Sequence, residues 1–177
     1  MNFSLWFPLT CLITFSACVT PASPLPGDSL GKFSIGATLV TNTCGSGIDA
    51  TNPWDFSAEM SKDGTTLYLA LEDGSGEVSG GFDSSDETSA TLVSAVTENV
   101  NAATTGSVCN LTLATTFALK LAAGSPPATF TGSAAYAYSV ATAVSSSTDC
   151  TAQLASAGGK YSTLPCTVTY SLTATRQ

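Results

Sequence analysis

Residues 54–71 have the sequence WDFSAEMSKDGTTLYLAL, and this stretch decides the fold. Its first eight residues alternate between apolar and polar side chains, which is the two-residue period of a strand with one buried face. The Lys-Asp-Gly sequence at 62–64 is typical of a tight hairpin turn. Every second residue over 67–71 is then leucine. The stretch therefore predicts a β-hairpin with one apolar face.

The same two-residue period recurs on both sides of this hairpin. Further alternating segments begin near residues 33, 78, 92, 109, 130 and 164. Together with the hairpin they make about eight strands joined by short links, which predicts an all-β antiparallel meander. An up-and-down barrel and a sandwich of two sheets both satisfy this pattern. The only segment that favours helix is 151–160, and it is long enough for one or two turns.

Composition excludes several classes of function. The 177 residues make one domain, with 13 acidic against 5 basic residues and a formal net charge of -8. This charge argues against binding to nucleic acid or electrostatic docking on anionic lipid. Histidine is absent, so the commonest general base and the commonest metal ligand are missing. The sequence predicts no enzyme and no cofactor.

The N-terminal segment has the character of an export signal. Residues 3–17 are mostly apolar and contain one proline, and the apolar run is shorter than the roughly 20 residues that a membrane-spanning helix needs. Its length is typical of the hydrophobic part of a secretory signal, although the usual basic residues before it are missing. We therefore predict a signal peptide at 1–17.

The end of this segment, Phe15-Ser16-Ala17-Cys18, resembles the lipobox of bacterial lipoproteins. The resemblance implies cleavage before Cys18 and acylation of that cysteine, which would anchor the protein to a membrane of the bacterial cell envelope. Val19 replaces the aspartate associated with retention in the inner membrane and favours the outer membrane. A plain secreted protein is the alternative.

A proline-rich segment separates this cysteine from the β domain. Residues 18–30 contain three prolines, and such chains are extended at about 3 Å per residue. We predict the lipidated cysteine and a tether at 18–30, followed by a single β domain at 31–177.

Counting cysteines supports this division. Of the six, Cys11 would leave with the signal peptide and Cys18 would carry lipid. An even number remains, which suits two disulfides in an oxidising compartment. If neighbouring strands are antiparallel, all four lie at one end of the β domain. They are Cys44, Cys109, Cys150 and Cys166.

Proximity at one end leaves three disulfide pairings open. We expect Cys150 to pair with Cys166, which closes the shortest loop, and Cys44 to pair with Cys109. A zinc site is the alternative, but the spacings match no zinc ribbon or finger and CxxC is absent.

Two weaker resemblances concern the β domain. Gly31-Lys32-Phe33 resembles the Gly-x-Trp that opens lipocalin barrels, without the tryptophan. The Thr- and Ser-rich strands, with an "SDC"-like element at Cys150 and "LPC" at Cys166, resemble those of uncharacterised bacterial envelope lipoproteins. Neither resemblance implies an activity.

Three segments contain residues that are typical of sites of chemistry. The Gly-Ser-Gly sequences at 45–47 and 74–76 lack the spacing and the Lys of a phosphate loop or nucleophile elbow, so we interpret them as turns. An acidic segment suits solvated turns, with calcium binding as the alternative; its carboxylates are Glu72, Asp73, Glu77, Asp83, Asp86 and Glu87.

The function predicted first is a lipid-anchored envelope protein with a non-enzymatic structural or interaction role. The alternative is a lipocalin-like protein that binds a small apolar ligand, with Phe130, Tyr136 and Tyr138 lining an inner cavity. A histidine-free carboxylate hydrolase using Asp55 and Glu59 is the third hypothesis.

Overall fold

The computed structural model describes residues 25–72, 74, 76–83, 87–101, 108–141 and 148–177. They form one closed antiparallel β-barrel in which each strand pairs with its neighbours in the sequence. The predicted all-β meander is confirmed, and the barrel rather than the sandwich is correct. The strands are β1 (Asp28–Asn42), β2 (Trp54–Asp63), β3 (Thr66–Leu71), β4 (Gly76–Phe82), β5 (Ser89–Asn101), β6 (Val108–Leu121), β7 (Thr129–Val140) and β8 (Cys166–Arg176).

The barrel closes between its first and last strands. The pairing of β1 with β8 runs from Phe33 opposite Arg176 to Asn42 opposite Val168. Because the barrel is closed, every strand has two hydrogen-bonded neighbours along at least part of its length. Because the topology is up-and-down, the links between strands fall alternately at the two ends of the barrel.

We call these ends the packed end and the disulfide end. The packed end contains the start of β1, the end of β8, and the links after β2, β4 and β6. The disulfide end contains the links after β1, β3, β5 and β7, which include the two longest connections among the described residues, 43–53 and 141–165.

The chain enters the barrel at the packed end and earlier than expected. Strand β1 begins at Asp28, inside the segment predicted as tether, because this residue pairs with Lys62 of β2. The buried hydroxyl of Ser61 donates a hydrogen bond of 2.7 Å to the carbonyl of Pro26. Gly27, with φ +77, lies so close to the Lys62 carbonyl that a Cβ would be 2.2 Å from it. Residues 28–30, predicted from the sequence as part of a tether, therefore belong to β1.

The interior of the packed half is filled, and a recess of about 330 Å³ lies at the surface of this end, bordered by residues such as Lys62, Phe82 and Pro127. The side chains of Phe33 and Phe130 are almost fully buried, with ring centroids 5.2 Å apart. Around them the inward positions are large and apolar, as the two-residue period predicts. The largest fully buried side chains in the barrel include Phe33, Phe117, Phe130, Ile35, Met60, Leu67, Leu69 and Leu92.

The wall of the barrel is uneven in height. Strands β3 and β4 have 6 and 7 residues, whereas β5 and β6 have 13 and 14. Strand β5 pairs with β4 only over residues 90–93 and then continues beside β6 alone to 101. Over 94–100 the inward face of β5 therefore has no paired strand on its β4 side among the described residues, and Val96 on this face is 52% exposed.

The four cysteines form two disulfides at one end, but the expected pairing is wrong. Cys44 is bonded to Cys166, with Cα atoms 4.9 Å apart, and Cys109 is bonded to Cys150, with Cα atoms 4.8 Å apart. The first bond follows from closure, because β1 and β8 become neighbours and Cys44 lies just beyond the paired Asn42. The bonds also exclude the alternative of a zinc site at these four cysteines.

The second disulfide follows from the path of the last long link. Its residues fold back over β6, where the backbone N–H of Asn110 donates a 2.8 Å hydrogen bond to Thr148. Two short 3-10 turns follow at Thr151–Gln153 and Ala155–Ala157, where the sequence indicated one or two helical turns. The link thus places Cys150 over Cys109 rather than over Cys166.

The predicted signal peptide, Cys18 and the first part of the tether lie outside the described residues. Within the described ranges, no helix has the length and apolar character needed to cross a membrane.

Candidate ligand pocket at the disulfide end

A pocket of about 190 Å³ lies where the packed interior gives way to the disulfide end. We call it the aromatic pocket, because three of its walls are aromatic rings. A cavity of about 150 Å³ accommodates a benzene-sized molecule, so this pocket suits a ligand with one ring. Its lining residues are Ile48, Asp49, Thr51, Trp54, Tyr136, Tyr138, Val168 and Tyr170.

Three rings from three strands form the aromatic walls. Trp54 opens β2, and Tyr136 and Tyr170 occupy inward positions of β7 and β8. The ring centroid of Trp54 lies 5.5 Å from that of Tyr170 and 6.3 Å from that of Tyr136. The two tyrosine rings are 6.3 Å apart with planes at 85°. The contacts of Tyr170 with Trp54 and with Tyr136 are edge-to-face and that of Trp54 with Tyr136 is tilted, arrangements that aromatic pairs favour.

The fourth wall comes from the link after β1. The side chain of Asn42 accepts hydrogen bonds from the backbone N–H groups of Cys44 (2.9 Å) and Gly45 (3.2 Å), which shapes the start of this link. Near its end, Asn52 accepts a 3.1 Å hydrogen bond from the N–H of Leu39. The polypeptide between these two anchors places the exposed Asp49 at the border of the pocket.

A second pocket of about 210 Å³ lies beside the first, on the inward face of the projecting strands β5 and β6. We call it the wall pocket. Tyr138 lines both pockets, so the two share a side. Its ring lies 5.4 Å from that of Tyr161, which comes from the long last link. The wall pocket is lined by Val96, Glu98, Val100, Leu111, Leu113, Tyr138 and Tyr161.

Three of the phenols at this end are held in the neutral form. Burial raises the pKa of Tyr138 above its ordinary value. Burial also raises the pKa of Tyr161, with smaller contributions from Tyr138 and Glu98. The pKa of Tyr170 is raised first by burial and then by Tyr138 and Asp49. At neutral pH these side chains are therefore uncharged hydroxyl donors on aromatic rings.

The charged side chains that line the two pockets are all negative. Their lining residues include two carboxylates, Asp49 and Glu98, and neither Lys nor Arg. The two acids influence different phenols, Asp49 that of Tyr170 and Glu98 that of Tyr161. The carboxylates thus lie on different sides of the shared Tyr138.

The residues predicted to line an inner cavity are separated by the fold. Tyr136 and Tyr138 line the aromatic pocket, but Phe130 is 1% exposed and packs against Phe33 in the filled half. The assignment of Phe130 to the cavity is therefore wrong, because Phe130 opens β7 at the packed end, below the pocket. The buried Phe130 thus belongs to the filled part of the interior, and the aromatic pocket lies beyond it toward the disulfide end.

Sequence reasoning missed Trp54, Tyr170 and Asp49 as pocket residues. Trp54 and Tyr170 have the inward phase of their strands, and both lie near the end where the cysteines were expected. Aromatic residues at inward positions near the disulfide end were thus the available signal. Asp49 lies in an irregular link, where no periodic pattern in the sequence indicates on which side of the chain its side chain lies.

The carboxylates weighed for catalysis and calcium binding lie elsewhere. Asp55 and Glu59 are exposed on the outer face of β2. Glu72 forms a 2.7 Å ion pair with Lys32, and Glu87 pairs with Lys62. Asp73 and Asp86 lie outside the described residues. Among the described residues, no three Asp, Glu, Cys or His side chains are grouped closely enough to hold a metal ion.

Comparison with known proteins adds no assignment, since no protein-family model, curated protein or solved structure matches this chain. The architecture itself, eight antiparallel strands in an up-and-down barrel, fits a lipocalin-like fold. The two disulfides indicate an oxidising compartment outside the cytoplasm.

Proposed function

We propose that this protein is a lipid-anchored, non-enzymatic component of the bacterial cell envelope that binds a small apolar ligand in the aromatic pocket. The observation that carries the proposal is the position of that pocket. It lies at the disulfide end, whereas the chain enters the barrel at the opposite, packed end. The barrel then separates the site of attachment from the site of binding.

The lipid anchor is supported by the cysteines. Cys44, Cys109, Cys150 and Cys166 pair among themselves, which leaves none of the described cysteines as a partner for Cys18. A lone cysteine in an exported protein needs another role. The lipobox-like sequence before Cys18 provides that role as the site of acylation.

The anchor would determine the orientation of the barrel. Between Cys18 and Asp28 the chain is proline-rich and reaches at most about 30 Å when extended. The packed end would therefore face the membrane and the aromatic pocket would face away from it. An outer-membrane location follows from Val19 in the same way as for other lipoproteins of this signal type.

Ligand binding is supported by the construction of the pocket. The aromatic rings pack against one another and are already ordered before a ligand binds. The entropic cost of binding an apolar ligand is therefore lower. The hydroxyl groups of the neutral tyrosines add polar contacts at the rim. Packing alone does not require a gap of about 190 Å³ beside four aromatic residues.

Intact-mass analysis of the protein purified from membranes tests the anchor. We expect a chain that begins at Cys18, carries fatty acyl groups and has lost four thiol protons to two disulfides. Cys18→Ser is the matched variant and should remain uncleaved or appear unacylated in the soluble fraction. A native chain that begins at Met1, or a Cys18 that carries no lipid, would contradict the proposal.

Tryptophan fluorescence tests the pocket. Once the predicted signal peptide is removed, Trp54 is the sole tryptophan, because the other is Trp6. We expect one-ring apolar compounds to change its emission in a saturable way. Val168→Phe, which fills the pocket, should abolish the change, whereas Val93→Phe on the outer face should preserve it. Equal binding by both variants would contradict a site at this position.

A further inference from the structure

Two carboxylates at the disulfide end, Asp49 and Glu98, border the two pockets. Glu72 and Glu87, which line neither of these pockets, form ion pairs with lysines. Neither Asp49 nor Glu98 forms an ion pair with any of the described residues, and both lie beside aromatic rings. Two unneutralised carboxylates therefore border a surface that is otherwise apolar and aromatic.

Aromatic rings and carboxylates select the same kind of ligand. The face of a Trp or Tyr ring attracts a cation through its quadrupole, and a carboxylate attracts it through its full charge. Trp54, Tyr136 and Tyr170 meet at large interplanar angles, so the aromatic pocket presents both faces and edges. An anion would meet only repulsion from Asp49, and a neutral ring would gain nothing from it.

The positions of the two acids add a geometric condition. Asp49 borders the aromatic pocket and Glu98 borders the wall pocket, with Tyr138 shared between them. A ligand that places its apolar body in the aromatic pocket has one carboxylate beside it and the second across the shared tyrosine. The aromatic pocket holds about 190 Å³, which restricts the body to about one ring.

We propose that this end of the barrel takes a small organic cation, an ammonium group on an apolar body of about one ring. The proposal rests on the proposed binding function and specifies the class of its ligand. Trp54 and Tyr170 hold the apolar body, and Asp49 neutralises the ammonium charge directly. Glu98 and the acidic surface of the protein, with its net charge of -8, raise the local concentration of cations.

Phenyltrimethylammonium and its uncharged isostere tert-butylbenzene form a matched pair of probes. They have the same shape and differ in charge alone. We would titrate each into the mature, disulfide-bonded protein at low ionic strength and follow the emission of Trp54. The cation is expected to bind at least tenfold more tightly than the isostere, and raising the salt concentration should reduce that ratio.

Two variants locate the source of the selectivity. Asp49→Asn keeps the shape of the pocket and removes its charge, so it should reduce the cation-to-isostere ratio severalfold. Asp55→Asn is the matched control, because Asp55 is an exposed carboxylate on the outer face of β2 and its removal changes the net charge equally. Glu98→Gln should give a smaller reduction than Asp49→Asn. Near-ultraviolet circular dichroism confirms that each variant keeps the native packing of its rings.

The outcomes separate this inference from the proposed function. Equal binding of the two probes, or tighter binding of the isostere, would overturn the inference and leave the apolar pocket in place. Absence of binding by both would overturn the inference together with the proposed function. A cation preference that Asp49→Asn and Asp55→Asn reduce equally would also overturn it, because the selectivity would then come from net charge and not from the pocket.

Discussion

The two ends of this barrel are built from the same alternating pattern but are stabilised differently. At the packed end, the interior is filled by side chains such as Phe33 and Leu92 that have no exposure to solvent. At the disulfide end, the inward positions carry Trp54, Tyr138 and Tyr170, which line pockets instead of filling them. There the long links are held by two disulfides.

The difference indicates a division of roles. Close packing supplies most of the free energy of folding where no ligand needs to enter. Covalent links hold the chain where the interior is incomplete, because loops around a pocket cannot bury enough apolar surface to order themselves. The comparison therefore predicts that the two ends respond differently to matched substitutions.

The largest expected effect is at the disulfides. Replacing Cys44 and Cys166 together by serine removes a link that spans 122 residues of sequence, and we expect a loss of about 5 kcal/mol in the free energy of unfolding from loop-closure entropy. The corresponding Cys109 and Cys150 variant opens a span of 41 residues and should lose about 4 kcal/mol. Denaturant unfolding of both variants measures the losses. A larger loss from opening the shorter span would contradict this prediction.

The next effect compares two leucines on one strand. Leu119 and Leu113 have the same inward phase on β6, but Leu119 is 3% exposed at the packed end while Leu113 lines the wall pocket. We expect Leu119→Ala to cost about 2–5 kcal/mol. Leu113→Ala should cost about 1 kcal/mol, since the side chain that is removed is only partly buried. Similar losses by urea unfolding would show that the two ends are packed alike.

A smaller effect is expected where the chain enters the packed end. Ser61 is 2% exposed, and its hydroxyl is bonded to the Pro26 carbonyl. Ser61→Ala leaves that carbonyl without this partner and should cost about 1 kcal/mol. Ser34→Ala, at an exposed position of β1, is the control and should be close to neutral. An equal effect of the two substitutions would mean that the contact does not hold the segment before β1.

The smallest effect is a loss of stability in alkaline solution. Burial raises the pKa of Tyr138, Tyr161 and Tyr170 above 10.0. The unfolded chain therefore releases these protons at a lower pH than the folded chain does. The contribution of these three phenols to stability is therefore constant below about pH 10 and falls as the pH rises from there toward the raised pKa values.

Tyr138→Phe is the variant that assigns this alkaline effect to the disulfide end. It removes one of the shifted phenols and also the contribution of Tyr138 to the raised pKa of the other two. We expect a weaker dependence of stability on pH above 10 than in the parent protein. An unchanged slope in Tyr138→Phe would contradict the assignment.

Local pattern was sufficient to predict the strands, and closure was not predictable from it. The alternation in β2 and β3 indicates a hairpin, because the face of the sheet on which a side chain lies follows from the pattern of its immediate neighbours in the sequence. Whether β1 meets β8 is a property of the whole chain, and this contact decides that Cys44 bonds to Cys166. The expected pairing of Cys150 with Cys166 followed the shortest loop, which is the wrong criterion once the first and last strands are adjacent.

The pocket was predictable only in part for a similar reason. The phase of β7 indicates that Tyr136 and Tyr138 point inward, but it also indicates this for Phe130. Which inward residues remain uncovered depends on how far the neighbouring strands extend. Strands β3 and β4 stop early, and this difference in strand length has no counterpart in the alternation of any single strand.

The central claim is that the packed end faces the membrane and the aromatic pocket faces the solvent. Fluorescence of Trp54 in the acylated protein, bound to lipid vesicles after removal of the signal peptide, tests it most directly. We expect phenyltrimethylammonium in the aqueous phase to change the emission of Trp54, and lipids with brominated acyl chains to leave it unquenched. Quenching by the brominated lipids without a response to the aqueous probe would contradict the account.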